Sequence, residues 1–380
     1  MIYKEFQGMK LSALGMGCMR LPIIDGANEK IDEELTARMV KYAFDHGINY
    51  FDTAWGYHEG NSETVMGSIL KDYDRDRFYL ASKFPGFERR LINKVEQVFE
   101  KQLEKCDVEY FDFYLFHNVC ELSIDGYLDP ANGIFDYLMK QKEAGHIRHL
   151  GFSTHGTLPT IKRFLEAYGK DMEFGQIELN YFDWEFQDAK GKVELLNEWN
   201  IPIWVMEPVR GGQLAVLSRE AEEKLKAARP DEKTPAWAFR FLQGIPNIVM
   251  TLSGMSDLQQ MVDNVATYEE EKPLNKEERE MILSIADEMI KAIAVPCTGC
   301  RYCVSYCPMG LDIPELLRLY NESKAKGTGD FIVPMAMAMI DKEKRPAACI
   351  ACGSCANVCP QKLKIPDIMM EFAEKIRNRK

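Results

Sequence analysis

The sequence predicts an α/β protein: a (β/α)8 TIM barrel followed by a smaller, mainly helical domain rich in cysteine. Three observations carry that prediction. Short apolar runs alternate with amphipathic helical stretches for about 270 residues. No glycine-rich dinucleotide fingerprint follows the first run, which argues against an open doubly wound sheet. Of the 11 cysteines, all but Cys18, Cys106 and Cys120 fall in two tight runs near the C-terminus.

The barrel elements follow in order. "YKEF" and "KLS" suit a small hairpin closing the barrel floor. "LSALGMGCMRL" (11–21) supplies the first barrel strand, and "DEELTARMVKYAFDHG" a helix that stops on Gly47. "INYFDTA" (48–54), "FYLASKF" (78–84), "YFDFYLFHN" (110–118), "IRHLGFSTH" (147–155), "FGQIELNYF" (174–182), "IPIWVMEP" (201–208) and "NIVMTLSG" (247–254) read as seven more buried strands, each followed by helical sequence. The barrel is expected over 1–275, a connecting helix over 276–294 and the cysteine domain over 295–380. A helix of that length, about 27 Å at ~1.5 Å per residue, could return the chain toward the barrel mouth.

Composition narrows the function classes. A formal charge of -12, with basic residues spread rather than blocked, argues against a nucleic-acid partner. The start "MIYKEFQGMK" lacks a signal-peptide pattern, and no apolar run approaches the ~20 residues of a membrane span. "FIVPMAMAMI" (331–340) is too short and carries Pro334, so it reads as a helix or turn packed in the small domain. The expectation is a cytoplasmic protein, where so many cysteines point to metal or catalysis rather than disulfides.

In a barrel enzyme, chemistry gathers at the C-terminal ends of the strands. Four titratable residues are expected there: Asp52 and Tyr57 in "YFDTAWGYHEG", Lys83 in "LASKFPG" and His117 in "YLFHNVC". Singly, each has a plain structural reading: a snorkelling lysine, a satisfied histidine, a helix-capping aspartate. Together they suit carbonyl reduction, which places a hydride on carbon and a proton on oxygen. Lys83 would lower the pKa of the Tyr57 phenol, Asp52 would hold Lys83 charged, and His117 would hydrogen-bond the carbonyl oxygen. The set, with its five-residue step from Asp52 to Tyr57, resembles the tetrad of the aldo-keto reductase family. His46, His58, His146 and His149 have no such setting and are expected to be structural.

The resemblance covers about residues 1–290 and implies a nicotinamide cofactor, NAD or NADP. It implies that Ser153 and Thr154 in "GFSTHG", with Gln176 in "GQIELNYFD", hold the carboxamide. Met206 in "WVMEPVRGG" stands where the family stacks a tyrosine on the ring. Arg210, with Gly211 and Gly212, would approach the pyrophosphate. The family reads an adenosine 2'-phosphate with Lys, Ser and Arg where this chain has Gly254, Met255 and Gln260. Asn264, and Asp263 in place of a Glu, keep the adenine-side pattern. NADP preference therefore has no visible source, because a phosphate wants Arg or Lys.

Cys297, Cys300, Cys303 and Cys307-Pro308 form C-x2-C-x2-C-x3-C-P, and Cys349, Cys352, Cys355 and Cys359-Pro360 repeat it. In bacterial two-cluster ferredoxins the fourth Cys of this run ligates the other cluster. One [4Fe-4S] cluster is thus expected on Cys297, Cys300, Cys303 and Cys359, and a second on Cys349, Cys352, Cys355 and Cys307. Zinc is the alternative, but it leaves the third and fourth cysteines of each run without a place. "CPMGLDIPELLRLY" and "CPQKLKIPDIMMEF" extend the repeat, with Pro314 and Pro366 suited to a first helical turn. The long stretch between the runs carries helical sequence, so the domain resembles an α-helical ferredoxin.

The expected function is an aldo-keto reductase-type oxidoreductase acting on a small carbonyl or alcohol, its clusters serving electron transfer or redox sensing. The alternative is a non-catalytic barrel in an electron-carrier subunit. A hydride carries two electrons and each cluster accepts one, so an external ferredoxin or flavoprotein is a candidate partner. No flavin motif stands out, although loops after the seventh and eighth barrel strands can hold a flavin phosphate without a clear signature. The loop "NVCELSIDGYLDPANG" is expected to wall the substrate pocket, with Tyr127 among its candidates.

Overall fold

The computed structural model describes residues 1–297, 301–325, 329–359 and 361–378. Two compact units divide the chain, one of Met1–Val209 with Leu214–Ile282, the other of Arg210–Gln213 with Leu283–Lys380. The division falls inside the helix Lys276–Ile293. Arg279 ties the start of this helix to the barrel by lying over the Phe241 ring, 4.2 Å from its centroid.

In the first unit, β1 (Tyr3–Phe6) and β2 (Met9–Ser12) form the expected hairpin. Gln7 and Gly8 make its two-residue turn, both at positive φ, the geometry that matches strand twist. Eight parallel strands then close a barrel: β3 (Leu14–Gly17), β4 (Tyr50–Asp52), β5 (Tyr79–Phe84), β6 (Phe111–Phe116), β7 (Ile147–Thr154), β8 (Gly175–Glu178), β9 (Ile203–Met206) and β10 (Ile248–Gly254). Each lies within its predicted run. β10 pairs with both β9 and β3, which completes the ring.

The interior is packed, as a barrel of this strand number requires. Tyr50, Phe113, Phe174, Trp204, Met250 and Leu252 fill it, and Phe6 and Leu11 of the hairpin plug its N-terminal end. Phe6 meets Trp204 edge to face, ring centroids 5.0 Å apart. Gly151 is required by this crowding: a Cβ there would lie 2.5 Å from both the carbonyl oxygen and the ring of Phe174. No helix among the described residues is long and apolar enough to cross a membrane.

The second unit is helical. The helices Ile313–Lys324 and Ile365–Asn378 begin at the repeated Ile-Pro pairs, with proline in the first turn where no N–H is needed. Gly329–Met339 forms the helix that encloses Pro334.

Trp204→Ala should empty the centre of the barrel and cost about 3–5 kcal/mol, read as a lower urea midpoint with an unchanged m-value. A shift below about 1 kcal/mol would mean that the surrounding rings do not depend on the indole.

Candidate functional site

Asp52 ends β4, Lys83 lies one residue before the end of β5, and His117 follows β6 directly. Consecutive parallel strands therefore present the three side by side at the C-terminal mouth. Tyr57 reaches them from a tight turn in which His58 and Glu59 are both left-handed, at φ 53 and 54. His58 steadies that turn: its Nε2 accepts from Leu21 N–H at 3.0 Å, and its Nδ1 faces the Asn28 carbonyl at 2.8 Å. The two contacts fix the tautomer with the proton on Nδ1.

The tetrad converges. Lys83 Nζ donates to Asp52 Oδ1 at 2.6 Å and to the Thr53 carbonyl at 2.8 Å, and it lies 3.4 Å from the Tyr57 hydroxyl. The Tyr57 and His117 rings meet edge to face at 5.9 Å, and Phe87 packs on the other side of His117 at 5.2 Å. Burial works against the Lys83 ammonium, but Asp52 and Tyr57 outweigh it and raise its pKa. Burial also raises Asp52, against the pull of Lys83.

Tyr57 departs from expectation. Burial pushes its phenol up to about 12; Lys83 lowers it, but by less than burial raises it, and Asp52 adds to the rise. The phenol is thus fully protonated near neutrality. His117 moves far below the ordinary imidazole value through burial, the Lys83 charge and His155, so it is neutral and can donate a single N–H.

The cofactor-side residues divide. Ser153 and Gln176 are register partners on β7 and β8. Ser153 Oγ accepts from Asn118 N–H at 2.9 Å, leaving its own O–H to donate. Gln176 Oε1 is buried without a partner, while its Nε2 faces Met206 Sδ at 3.6 Å. An unmet buried acceptor beside a hydroxyl donor fits a carboxamide, which has one group of each kind. Thr154 is committed elsewhere, donating to the Val119 carbonyl and accepting from Gly156 N–H.

Arg210 belongs to the second unit, where its guanidinium is buried, ion-paired with Glu322 at 3.0 Å and bonded to Gln213. It is not the available cation that a pyrophosphate contact needs. Gly211 and Gly212 follow at φ 59 and 94. Asn264 donates to Ser253 Oγ at 3.1 Å, and Asp263 is tied to Lys233. Tyr127, expected on a pocket wall, is buried: its hydroxyl meets the carbonyls of Phe84 and His117 and accepts from Gly86 N–H. It braces the ends of β5 and β6.

Two residues escaped the sequence reading. His155, directly after β7, sits with Nδ1 3.0 Å from Glu178 Oε2 at the end of β8. Arg20, three residues beyond β3, packs against Gly254 at the end of β10. Their signal was position, a titratable side chain just past a barrel strand.

In the second unit, one cavity is lined by Cys307, Cys349, Cys352 and Cys355, and another by Cys297, Cys303 and Cys359. Cys300 and Pro360 lie outside the described residues. The sets mix the runs, each taking the fourth cysteine of the other. Cys307 Sγ accepts from Leu311 N–H at 3.4 Å, a contact suited to thiolate sulfur. Ile365 lines both cavities.

A family model described as "Aldo/keto reductase family" matches residues 13–287. The chain belongs to that family. A second model, "4Fe-4S dicluster domain", matches residues 296–363, so this aldo/keto reductase carries an iron-sulfur domain after its barrel. Among curated relatives, "Probable aldo-keto reductase 1" of Glycine max is 34% identical over 166 residues, 41% of this chain and 45% of that protein. "NADH-specific methylglyoxal reductase" of Escherichia coli (strain K12) is 25% identical over 224 residues, 54% of this chain and 65% of that one. These matches span less than two thirds of either relative. The solved "aldo-keto reductase AKR11C1 from Bacillus halodurans (holo form)" aligns with a TM-score of 0.61 at 24% identity, covering 74% of this chain and 95% of that one. An aldo-keto reductase from Klebsiella pneumoniae, solved in complex with NADPH, gives 0.59 at 18%, covering 76% and 95%. The likeness to these structures shows the fold.

Two outcomes follow for this aldo/keto reductase. If the tetrad reduces a carbonyl, the rate would stay flat from about pH 6 to 9 with no inflection near ~6.5, while the reverse oxidation, which would need a Tyr57 phenolate, would climb across the same range. An acid limb near 6.5 in the reduction profile would contradict a neutral His117. The double variant Cys307→Ala, Cys349→Ala should keep about four of about eight irons per chain, since both changes fall in one cavity. Loss of nearly all iron would instead assign each run to its own cluster.

Proposed function

We propose that the barrel reduces a small carbonyl compound, or oxidises the matching alcohol, with a nicotinamide dinucleotide. The C-terminal domain, in this reading, holds two [4Fe-4S] clusters for one-electron exchange or redox sensing. The observation that carries the proposal is Lys83 Nζ, placed between Asp52 Oδ1 and the Tyr57 hydroxyl with His117 alongside. Relatives support the cofactor class, one named as NADH-specific and another solved with NADPH. They differ over which dinucleotide.

A bound reduced nicotinamide supplies hydride to the substrate carbon. Ser153 O–H and Gln176 Oε1 hold its carboxamide and so select the ring face presented. His117 donates its N–H to the carbonyl oxygen, where negative charge develops. Tyr57 then gives that oxygen its proton; an alkoxide is a much stronger base than a phenolate, even one at about 12, so the transfer runs downhill. Lys83 stabilises the phenolate left behind, and Asp52 keeps Lys83 charged and aimed. Oxidation runs these roles in reverse.

Cys349, Cys352, Cys355 and Cys307 would hold one cluster, and Cys297, Cys300, Cys303 and Cys359 the other. Each cluster would supply exchange of a single electron. The partner class this implies is an external ferredoxin or flavoprotein.

Tyr57→Phe removes the proton donor while keeping the ring. Nicotinamide-dependent kcat should fall by about 10²- to 10⁴-fold with little change in dinucleotide Kd. Unchanged turnover would remove Tyr57 from this role and the proposal with it. Anaerobic titration of the cluster-loaded chain with NADH and then NADPH, followed by visible absorbance, tests coupling separately. Bleaching supports electron exchange with the clusters, and full carbonyl turnover over permanently oxidised clusters argues against it.

A further inference from the structure

We infer that Arg20 is the cation that binds a phosphate of the dinucleotide, supplied from the loop after β3 because the segment after β10 has none. The inference rests on the nicotinamide reading above and adds to it a residue that neither the motif nor the family match singles out.

From the last residue of β10 the chain runs Gly254, Met255, Ser256, Asp257, with no basic side chain. Gly254 leaves a space that another residue fills. A Cβ built on it would lie 3.2 Å from Arg20 Cβ and 3.4 Å from its Cγ and Cδ. The Arg20 stem thus lies close against the place where a side chain at 254 would begin, at the C-terminal mouth of the barrel.

Its backbone is held on several sides. Ser256 Oγ donates to the Arg20 carbonyl at 3.0 Å, Cys18 N–H reaches the Asp52 carbonyl at 2.8 Å, Ser62 Oγ donates to the Cys18 carbonyl, and Leu21 N–H is taken by His58. The loop that carries Arg20 is therefore pinned by the same elements that position Asp52 and Tyr57. A pinned backbone leaves only the side chain to be ordered when a ligand binds.

The guanidinium itself is under-used. It donates no hydrogen bond among the described residues, and its side chain is 39% exposed. The nearest carboxylate, Glu207 just beyond β9, stands 3.7 Å away, too far for a hydrogen bond. Five planar N–H donors beside a loose counter-ion suit a phosphate, which can take two of them at once. Glu207 would then compete with the bound phosphate and set its affinity.

Two phosphate sources share this chemistry: the diphosphate bridge present in both dinucleotides and the 2'-phosphate of NADPH alone. Calorimetric titration of the cluster-loaded full chain with NADH and with NADPH separates them. Arg20→Ala should weaken binding roughly tenfold to a hundredfold. An equal loss for both ligands assigns the diphosphate, and a loss confined to NADPH assigns the 2'-phosphate. Arg20→Lys should recover part of the loss, and Glu207→Gln should shift affinity the other way, by about threefold. Wild-type binding that Arg20→Ala leaves unchanged would overturn the assignment alone. A wild-type chain that binds neither dinucleotide would sink the nicotinamide reading and the Arg20 assignment together.

Discussion

The barrel mouth is organised around one buried charge. Lys83 is fully buried, and an ammonium without water costs several kcal/mol unless it is paired and bonded. Asp52 Oδ1 and the Thr53 carbonyl meet that requirement from the adjacent strand. Behind the strand a second buried set holds the backbone: Gln102 Nε2 donates to the Lys83 carbonyl and to Glu63, Ser82 Oγ also donates to Glu63, and Lys105 pairs with Glu63 at 2.6 Å. Strand alternation sends Ser82 outward into this set and Lys83 inward to the site. The position of the ammonium is thus fixed from both faces of β5, and the Tyr57 phenol takes its environment from it.

The cysteine domain solves a different constraint with the same economy. In the sequence each run offers three cysteines at three-residue steps and a fourth followed by proline, a spacing that on the proposed assignment leaves each set to be completed by the other run. Exchanging the fourth cysteine ties the halves, and Ile365, lining both cavities, forms part of the wall they share. On the proposed assignment the fold of this unit and its ligand sets would depend on each other: a change that separates the halves would remove a ligand from both sites.

Much of this was legible because period and spacing are local. Eight buried runs located eight strands, and the spacing within the two cysteine runs is what suggests crossed sets. The tetrad was readable since barrel strands end where chemistry gathers, so a polar residue at the end of an apolar run is informative. What stayed hidden depends on three dimensions. The rise of Tyr57 follows from burial, which no spacing reports. Tyr127 looked like a loop residue facing a ligand, yet its hydroxyl joins the ends of β5 and β6. Arg210 sits in a glycine turn that reads as a phosphate loop, and only the fold shows its charge matched by Glu322.

Closure of the barrel brings residues from its two ends together. On the Arg20 proposal the cation is missing from the segment after β10 because sequence order places that segment at the end of the barrel and Arg20 at its beginning. The ring makes them neighbours: β10 pairs with β3, with Gly254 opposite Gly17 in register. Two glycines at that rung leave the mouth open there, and a long side chain from either strand end can cross it. The cation is then free to come from either end of the chain, so its absence at one position in the sequence says little about the charge of the site.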